Sequence, residues 1–233
     1  MAIISYTTVK TLLGISGTGE DAKLTLMADY VDRAIKNYVG YDIETATYPD
    51  DGPTNGLGDT GYYSGHGTRL LLLRQRPVWN DSNLAIYQDQ TGYFGANSDG
   101  AFASATLLTK GTDYVVRWDS YDGSTKVSRS GIVERLGGAW PALPVYQRGH
   151  LMLNQQEHRG NIYVTYKAGY STVPTDITMA AGFWVSHVRR TMPQGGNIQS
   201  EGVGAYHYAM QPLMGGMPDE VKVLLSKYRN RLL

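Results

Sequence analysis

The sequence predicts an α+β fold: a small helical bundle formed by the two chain flanks, residues 1–45 plus 172–233, with a large antiparallel β-region, residues 46–171, inserted between them. Three observations predict it. Apolar residues recur at helical spacing near both ends of the chain. The middle alternates at period two between Gly, Asn and Asp clusters. Neither flank covers its own apolar stripe, so the two are expected to pack together.

The first helix is predicted from a cap at Thr7 or Thr8, through Val9, Leu12 and Leu13, to a stop at Gly14. A longer helix runs from about Glu20 to Val39. Its apolar positions Leu24, Met27, Ala28, Val31, Ala34, Ile35 and Tyr38 make one stripe. Glu20 and Asp21 suit its first turn. Asp29 with Arg33 and Asp32 with Lys36 make i,i+4 pairs, and Gly40 ends it.

Residues 45–68 read as a Gly-, Pro- and Asp-rich loop. Strands are expected at Arg69–Arg74, Leu84–Gln88, Asp113–Trp118, Gly131–Leu136 and Asn161–Tyr170. Residues 60–170 read as an antiparallel sheet or small sandwich with no helix. Helix returns at Pro174, with a stripe of Ile177, Ala180, Ala181, Trp184, Val185 and Val188 that ends near Met192. Residues 193–216 read as a flexible glycine-rich arm. A last helix opens at Met217-Pro218-Asp219-Glu220 and carries Val221, Leu224, Leu225, Tyr228 and Leu232.

Composition narrows the function. Of 233 residues, 42% are hydrophobic and 18% charged, which fits a globular class. No apolar run approaches the ~18–20 residues that span a bilayer, so no membrane partner is expected. The opening MAIISYTTVK reads without a secretory signal. With no cysteine, disulfides, thiolate metal sites and cysteine nucleophiles are excluded. The 21 basic and 21 acidic residues balance but are unevenly spread, residues 1–60 netting −5 and residues 183–233 netting +3. Such polarity suits ordered subunits meeting acidic end to basic end. No basic groove suggests tight nucleic-acid binding. The bias to tyrosine (18) over phenylalanine (3) suits interface-rich β-structure.

Motifs for chemistry are few. The five histidines, His66, His150, His158, His187 and His207, form no HExxH pair, so no metal or other cofactor is expected. Tyr63-Ser64-Gly65-His66-Gly67 places serine near histidine, but a nucleophile elbow needs another register and a following helix. Asp50, Asp51 and Asp59 lack the alternation and closing glutamate of a calcium loop. Gly14, Gly17 and Gly19 are not followed by the Lys and hydroxyl residue of a phosphate loop. The expectation is a protein without catalytic residues. The arm is the remaining signal, because Tyr206, Tyr208, Met210 and Met214 on a glycine-rich chain suit adaptable docking.

Four segments, in order along nearly the whole chain, carry a resemblance. They are Thr8–Ile15 with the helix to Tyr38-Val39-Gly40; Tyr63–Gly67 with the Leu70–Leu73 run and Arg76-Pro77-Val78; Val164–Tyr170 with Pro174-Thr175-Asp176-Ile177; and Gln199–Gly204 through Tyr208 with Pro218–Val221 and Leu225–Arg229. Together they resemble the head–tail connector (adaptor, or head-completion) proteins of long-tailed bacteriophages. The β-region is larger than in compact members of that family.

The resemblance implies a structural virion protein of the phage neck, assembled in the host cytoplasm. Its copies would form a homo-oligomeric ring, a dodecamer matching the portal's twelve-fold symmetry. The ring would bind the portal protein, extend the channel through which DNA passes without sequence-specific binding, and offer a platform to a downstream neck or tail protein. The expected portal-docking residues are Tyr206, Tyr208, Met210, Met214, Val221, Leu224, Leu225, Tyr228, Arg229 and Arg231. Alternatives are a stopper or tail-completion ring, a tail-associated carbohydrate- or protein-binding module on the Tyr-rich β-region, or a hydrolase using Ser64 and His66.

Overall fold

The computed structural model describes residues 3–50, 57–89, 101–141, 160–191, 200–203, 206–209 and 217–229. It is α+β, with helices at both flanks and strands in the middle. Helices α1 (Tyr6–Leu13) and α2 (Asp21–Val39) come first. Strands β1 (Ala46–Tyr48), β2 (Tyr62–Tyr63), β3 (Leu70–Leu72), β4 (Val78–Trp79) and β5 (Ala85–Gln88) follow. After a 3-10 turn at Ser104–Thr106 come β6 (Tyr114–Val116), β7 (Ser120–Asp122), β8 (Thr125–Ser128), β9 (Ile132–Arg135) and β10 (Ile162–Ala168). The chain closes with α3 (Thr175–Thr191), β11 (Ser200–Val203), β12 (Tyr206–Ala209) and α4 (Asp219–Leu225). It divides into two compact units, Met1–Gly40 with Thr172–Leu233, and Tyr41–Ser171.

In the helical unit, α1 is capped by Ser5 rather than Thr7 or Thr8. Ser5 holds extended backbone, and its hydroxyl accepts the Thr8 N–H at 3.1 Å, the N3 position a serine cap prefers. Gly14 and Gly40 close α1 and α2 in the left-handed conformation. The α2 stripe packs as its spacing implies, with Leu24, Met27, Ala28, Val31 and Ile35 buried. The pair Asp32–Lys36, at 3.0 Å, is buried as well, because the Ile3 N–H donates to Asp32 Oδ1 at 2.8 Å and seals that side. Helix α3 contributes Ile177, Ala180, Ala181, Trp184 and Val185 to the same core, and α4 adds Val221 and Leu225.

One polar clamp joins the two flanks, and a second ties α3 to the residues that follow α4. Glu20 makes no cap hydrogen bond; its carboxylate instead accepts Arg189 Nε at 3.1 Å and Nη2 at 3.3 Å. Those hydrogen bonds hold its pKa below the usual carboxylate value. Asp176 accepts the Tyr228 hydroxyl at 2.7 Å and pairs with Lys227. Burial pushes the Asp176 pKa up, yet the hydrogen bonds from Lys227 and Tyr228 outweigh it and leave it lowered.

The β-unit is organised around β10, whose burial alternates along its full length. The C-terminal half of β10 pairs with β1 (Tyr48↔Tyr166) and β4 (Ala168↔Val78), and its N-terminal half pairs with β2 (Tyr163↔Tyr62) and β5 (Tyr163↔Tyr87). Strands β8 and β7 extend this sheet beyond β4, and β3-β9-β6 forms a second sheet, all pairs antiparallel. Both sheets feed one core through Leu71, Ile86, Val116, Val133, Val164 and Tyr166, with Trp140 fully buried among them. Thus the stretch expected as loop, 45–68, contains strands β1 and β2. They form because β10 offers partners on both of its edges.

Candidate functional site

The segment expected to act as a flexible arm contains an antiparallel ribbon. β11 and β12 pair in register from Ser200↔Ala209 to Val203↔Tyr206 and join neither larger sheet. Tyr206 and Tyr208 lie on β12. Met210, Met214 and Arg231 lie outside the described residues.

The last helix is shorter than its sequence pattern, seven residues from Asp219 to Leu225, and lies against α3 of its own unit. Val221 and Leu225 are fully buried there, Leu224 and Tyr228 are half-buried, and the Arg229 guanidinium sits 5.5 Å over the Tyr38 ring. Of the expected docking residues on α4, Val221 and Leu225 therefore belong to the chain's own core. The outward apolar residue is Val223, 72% exposed.

Besides Tyr6 and Leu12 on α1, exposed apolar residues of this unit gather at two further places. One is a ridge on α2, where Leu26 is 72% and Tyr30 50% exposed, and where Tyr30 rests edge-on against Trp184 at 6.2 Å. The other is a groove of about 340 Å³ between α3 and the start of α4, lined by Phe183, Ser186, His187, Arg190, Glu220 and Val221 among others. Phe183 is 49% exposed because it falls off the Trp184–Val185 face that turns into the core.

In the β-unit, the densest polar constellation is structural. Asp59 is fully buried at its side chain. Its carboxylate accepts the hydroxyls of Tyr63 and, at 2.5 Å, Tyr166, the Gly61 N–H at 2.9 Å, and Arg74 Nη1 at 2.7 Å. The two phenol oxygens lie 3.1 Å apart, and having given their protons to Asp59 they accept the N–H groups of Arg74 and Gln75. Burial, reinforced by the Asp59 charge, raises the pKa values of Tyr63 and Tyr166 far above that of a free phenol. Asp42 anchors the same segment, accepting the Tyr48 hydroxyl and the N–H groups of Leu57 and Gly58. No buried side-chain oxygen of Asp42, Asp59, Tyr63 or Tyr166 lacks a partner, and the network ties the Gly- and Asp-rich stretch to β10.

Ser64 and His66 lie in an irregular segment directly after β2. The Gly65 N–H donates to Asn161 Oδ1 at 2.9 Å, the Gly67 N–H donates to the Trp140 carbonyl, and His66 is exposed. A Cβ on Gly65 would meet the Pro141 carbonyl oxygen at 2.2 Å, so only glycine fits this approach. Among the described residues no three His, Cys, Asp or Glu side chains gather as metal ligands would, and no helix is long and apolar enough to cross a membrane. A half-buried aromatic row, Tyr62, Tyr163 and Tyr87 with Phe102 stacked on Tyr163 at 5.6 Å, covers the N-terminal half of β10.

No protein-family model matches the chain, and no curated protein sequence matches it either.

Proposed function

We propose that this chain is a structural subunit of a bacteriophage neck, a head–tail connector whose copies form a ring against the portal protein. In that role it extends the DNA channel, passes DNA without reading its sequence, and presents a platform to a stopper or tail protein. The single observation that carries the reading is the build of the helical unit. Both chain flanks close into one bundle that leaves apolar features outward on α2, α3 and α4, and a β-ribbon outside both larger sheets. Solvent-facing leucine, tyrosine and phenylalanine grouped on a small unit suit protein partners. The four sequence segments resembling the connector family supply the identity of those partners.

The test is co-sedimentation of the full chain with portal protein. Portal-bound rings support the reading; a chain that stays apart from portal at every ratio overturns it. The aromatic row Tyr62–Tyr163–Tyr87 favours a second reading, a tail-associated module that binds carbohydrate or protein through the β-unit. Under it, substitutions in that row abolish ligand capture and leave portal binding untouched.

A further inference from the structure

The ring reading requires each copy to present two different surfaces, one for each neighbour, because a patch that pairs with itself closes a twofold dimer instead. The helical unit carries two such unlike surfaces. The α2 ridge is convex: Leu26 and Tyr30 project from the helix, and Trp184 braces Tyr30 from the side. The α3–α4 groove is concave, with Phe183 half exposed at its wall. At about 340 Å³ it is at the small end of ligand pockets, which span roughly 300–1,000 Å³, and suits a pair of side chains better than a cofactor.

The charges around the two surfaces match. Lys23 and Asp29, both exposed, stand on the ridge helix beside Leu26 and Tyr30. The groove presents one residue of each sign, Arg190 on α3 and Glu220 on α4. Resting on the ring reading above, we propose that the Leu26–Tyr30 ridge of one copy seats in the Phe183 groove of the next copy. Asp29 then faces Arg190, and Lys23 faces Glu220. Apolar burial supplies the affinity, and the two charge pairs set register and direction around the ring.

The chain has no cysteine, so introduced thiols report on this contact alone. Leu26→Cys and Phe183→Cys are made as single variants of the full chain, mixed at high concentration and mildly oxidised. The mixture should yield a disulfide dimer that neither variant yields alone, and the double variant should yield a ladder of higher species. Leu26→Ala should weaken association by about tenfold or more. Asp29→Arg and Arg190→Asp should each weaken association, and the two together should restore it, a readout that survives if the cysteine variants fold poorly.

Cross-linking of Leu26→Cys to itself overturns the proposal in favour of a twofold contact. Sedimentation of the unmodified chain separates the remaining failures. Oligomers without the mixed cross-link or the charge rescue overturn the ridge–groove contact and leave the ring reading standing. A chain that stays monomeric throughout, alone and with portal, overturns both.

Discussion

Replacing Asp59 by asparagine keeps the shape of the side chain and removes its charge. In the native structure one carboxylate oxygen serves two tyrosine hydroxyls and the other serves the Gly61 N–H and Arg74. An amide presents NH₂ on one side: turned toward Gly61 and Arg74 it sets donor against donor, and turned toward the tyrosines it no longer accepts their two protons. Each hydrogen bond to a buried charge contributes roughly 1.5–3 kcal/mol, though not additively. Arg74 is half exposed at its side chain and rehydrates, so most of its share is discounted. Removing one partner of a buried charge network costs about 3–5 kcal/mol, and Asp59→Asn should fall in that range. Urea unfolding followed by tryptophan emission reports it, because Trp79, Trp118 and Trp140 lie in the β-unit and only Trp184 lies outside it. With a urea slope of about 2 kcal/mol per molar, the β-unit midpoint should fall by roughly 1.5–2.5 M. Tyr166→Phe combined with Asp59→Asn should lose less than the two single losses together, since both remove the same bond. A single-variant loss under about 1 kcal/mol, or strict additivity, would refute the claim that this network holds the 57–63 stretch on β10.

Three further outcomes follow from the same structure. Tyr48, Tyr63 and Tyr166 have pKa values raised chiefly by burial; the unfolded chain releases their protons near pH 10 while the folded chain keeps them, so stability is intact below about pH 10 and falls as pH rises above it. A spectroscopic tyrosine titration should show these three ionising only with unfolding. Arg76 is buried, and among the described residues its Nε and Nη2 atoms have no hydrogen-bond partner and no carboxylate pairs with it, so Arg76→Met should be neutral or stabilising in thermal melts, and a loss above about 2 kcal/mol would contradict this. Gly169 has φ +98° and a Cβ there would lie 2.2 Å from the Glu44 carbonyl oxygen, so Gly169→Ala should cost more than about 2 kcal/mol and weaken the β1–β10 pairing seen by amide exchange.

Much of the fold is legible in the sequence where local chemistry and tertiary packing agree. α2 starts beside Glu20 and stops at Gly40, and β10 alternates because both of its faces have fixed fates. The misses have particular causes. β1 sits in a Pro- and Gly-rich stretch, and its extended form comes from pairing with residues 166–168, more than a hundred positions away. The β7–β8 hairpin carries an Asp122-Gly123 turn signal, but its strands have too little alternation to announce themselves. The β11–β12 ribbon lies in a glycine-rich stretch that reads as a flexible arm, and its pairing comes from the opposite strand rather than from either sequence alone. For the candidate site, Phe183 is absent from the apolar stripe of α3, and its exposure is readable from that alone. The groove it lines depends on α4 packing back across α3, a contact set by Val221, Leu225 and the Asp176–Tyr228 bond, which no local pattern encodes. The Asp59 network is likewise assembled from positions 103–107 residues apart in its tyrosine contacts.

Electron cryo-microscopy of the chain bound to portal protein decides whether the copies assemble as a neck ring. A closed ring of copies on the tail-facing side of the portal, coaxial with its channel and with neighbouring helical units in contact, is expected. Density for isolated copies away from the channel, or a portal surface left bare at saturating chain, would contradict it.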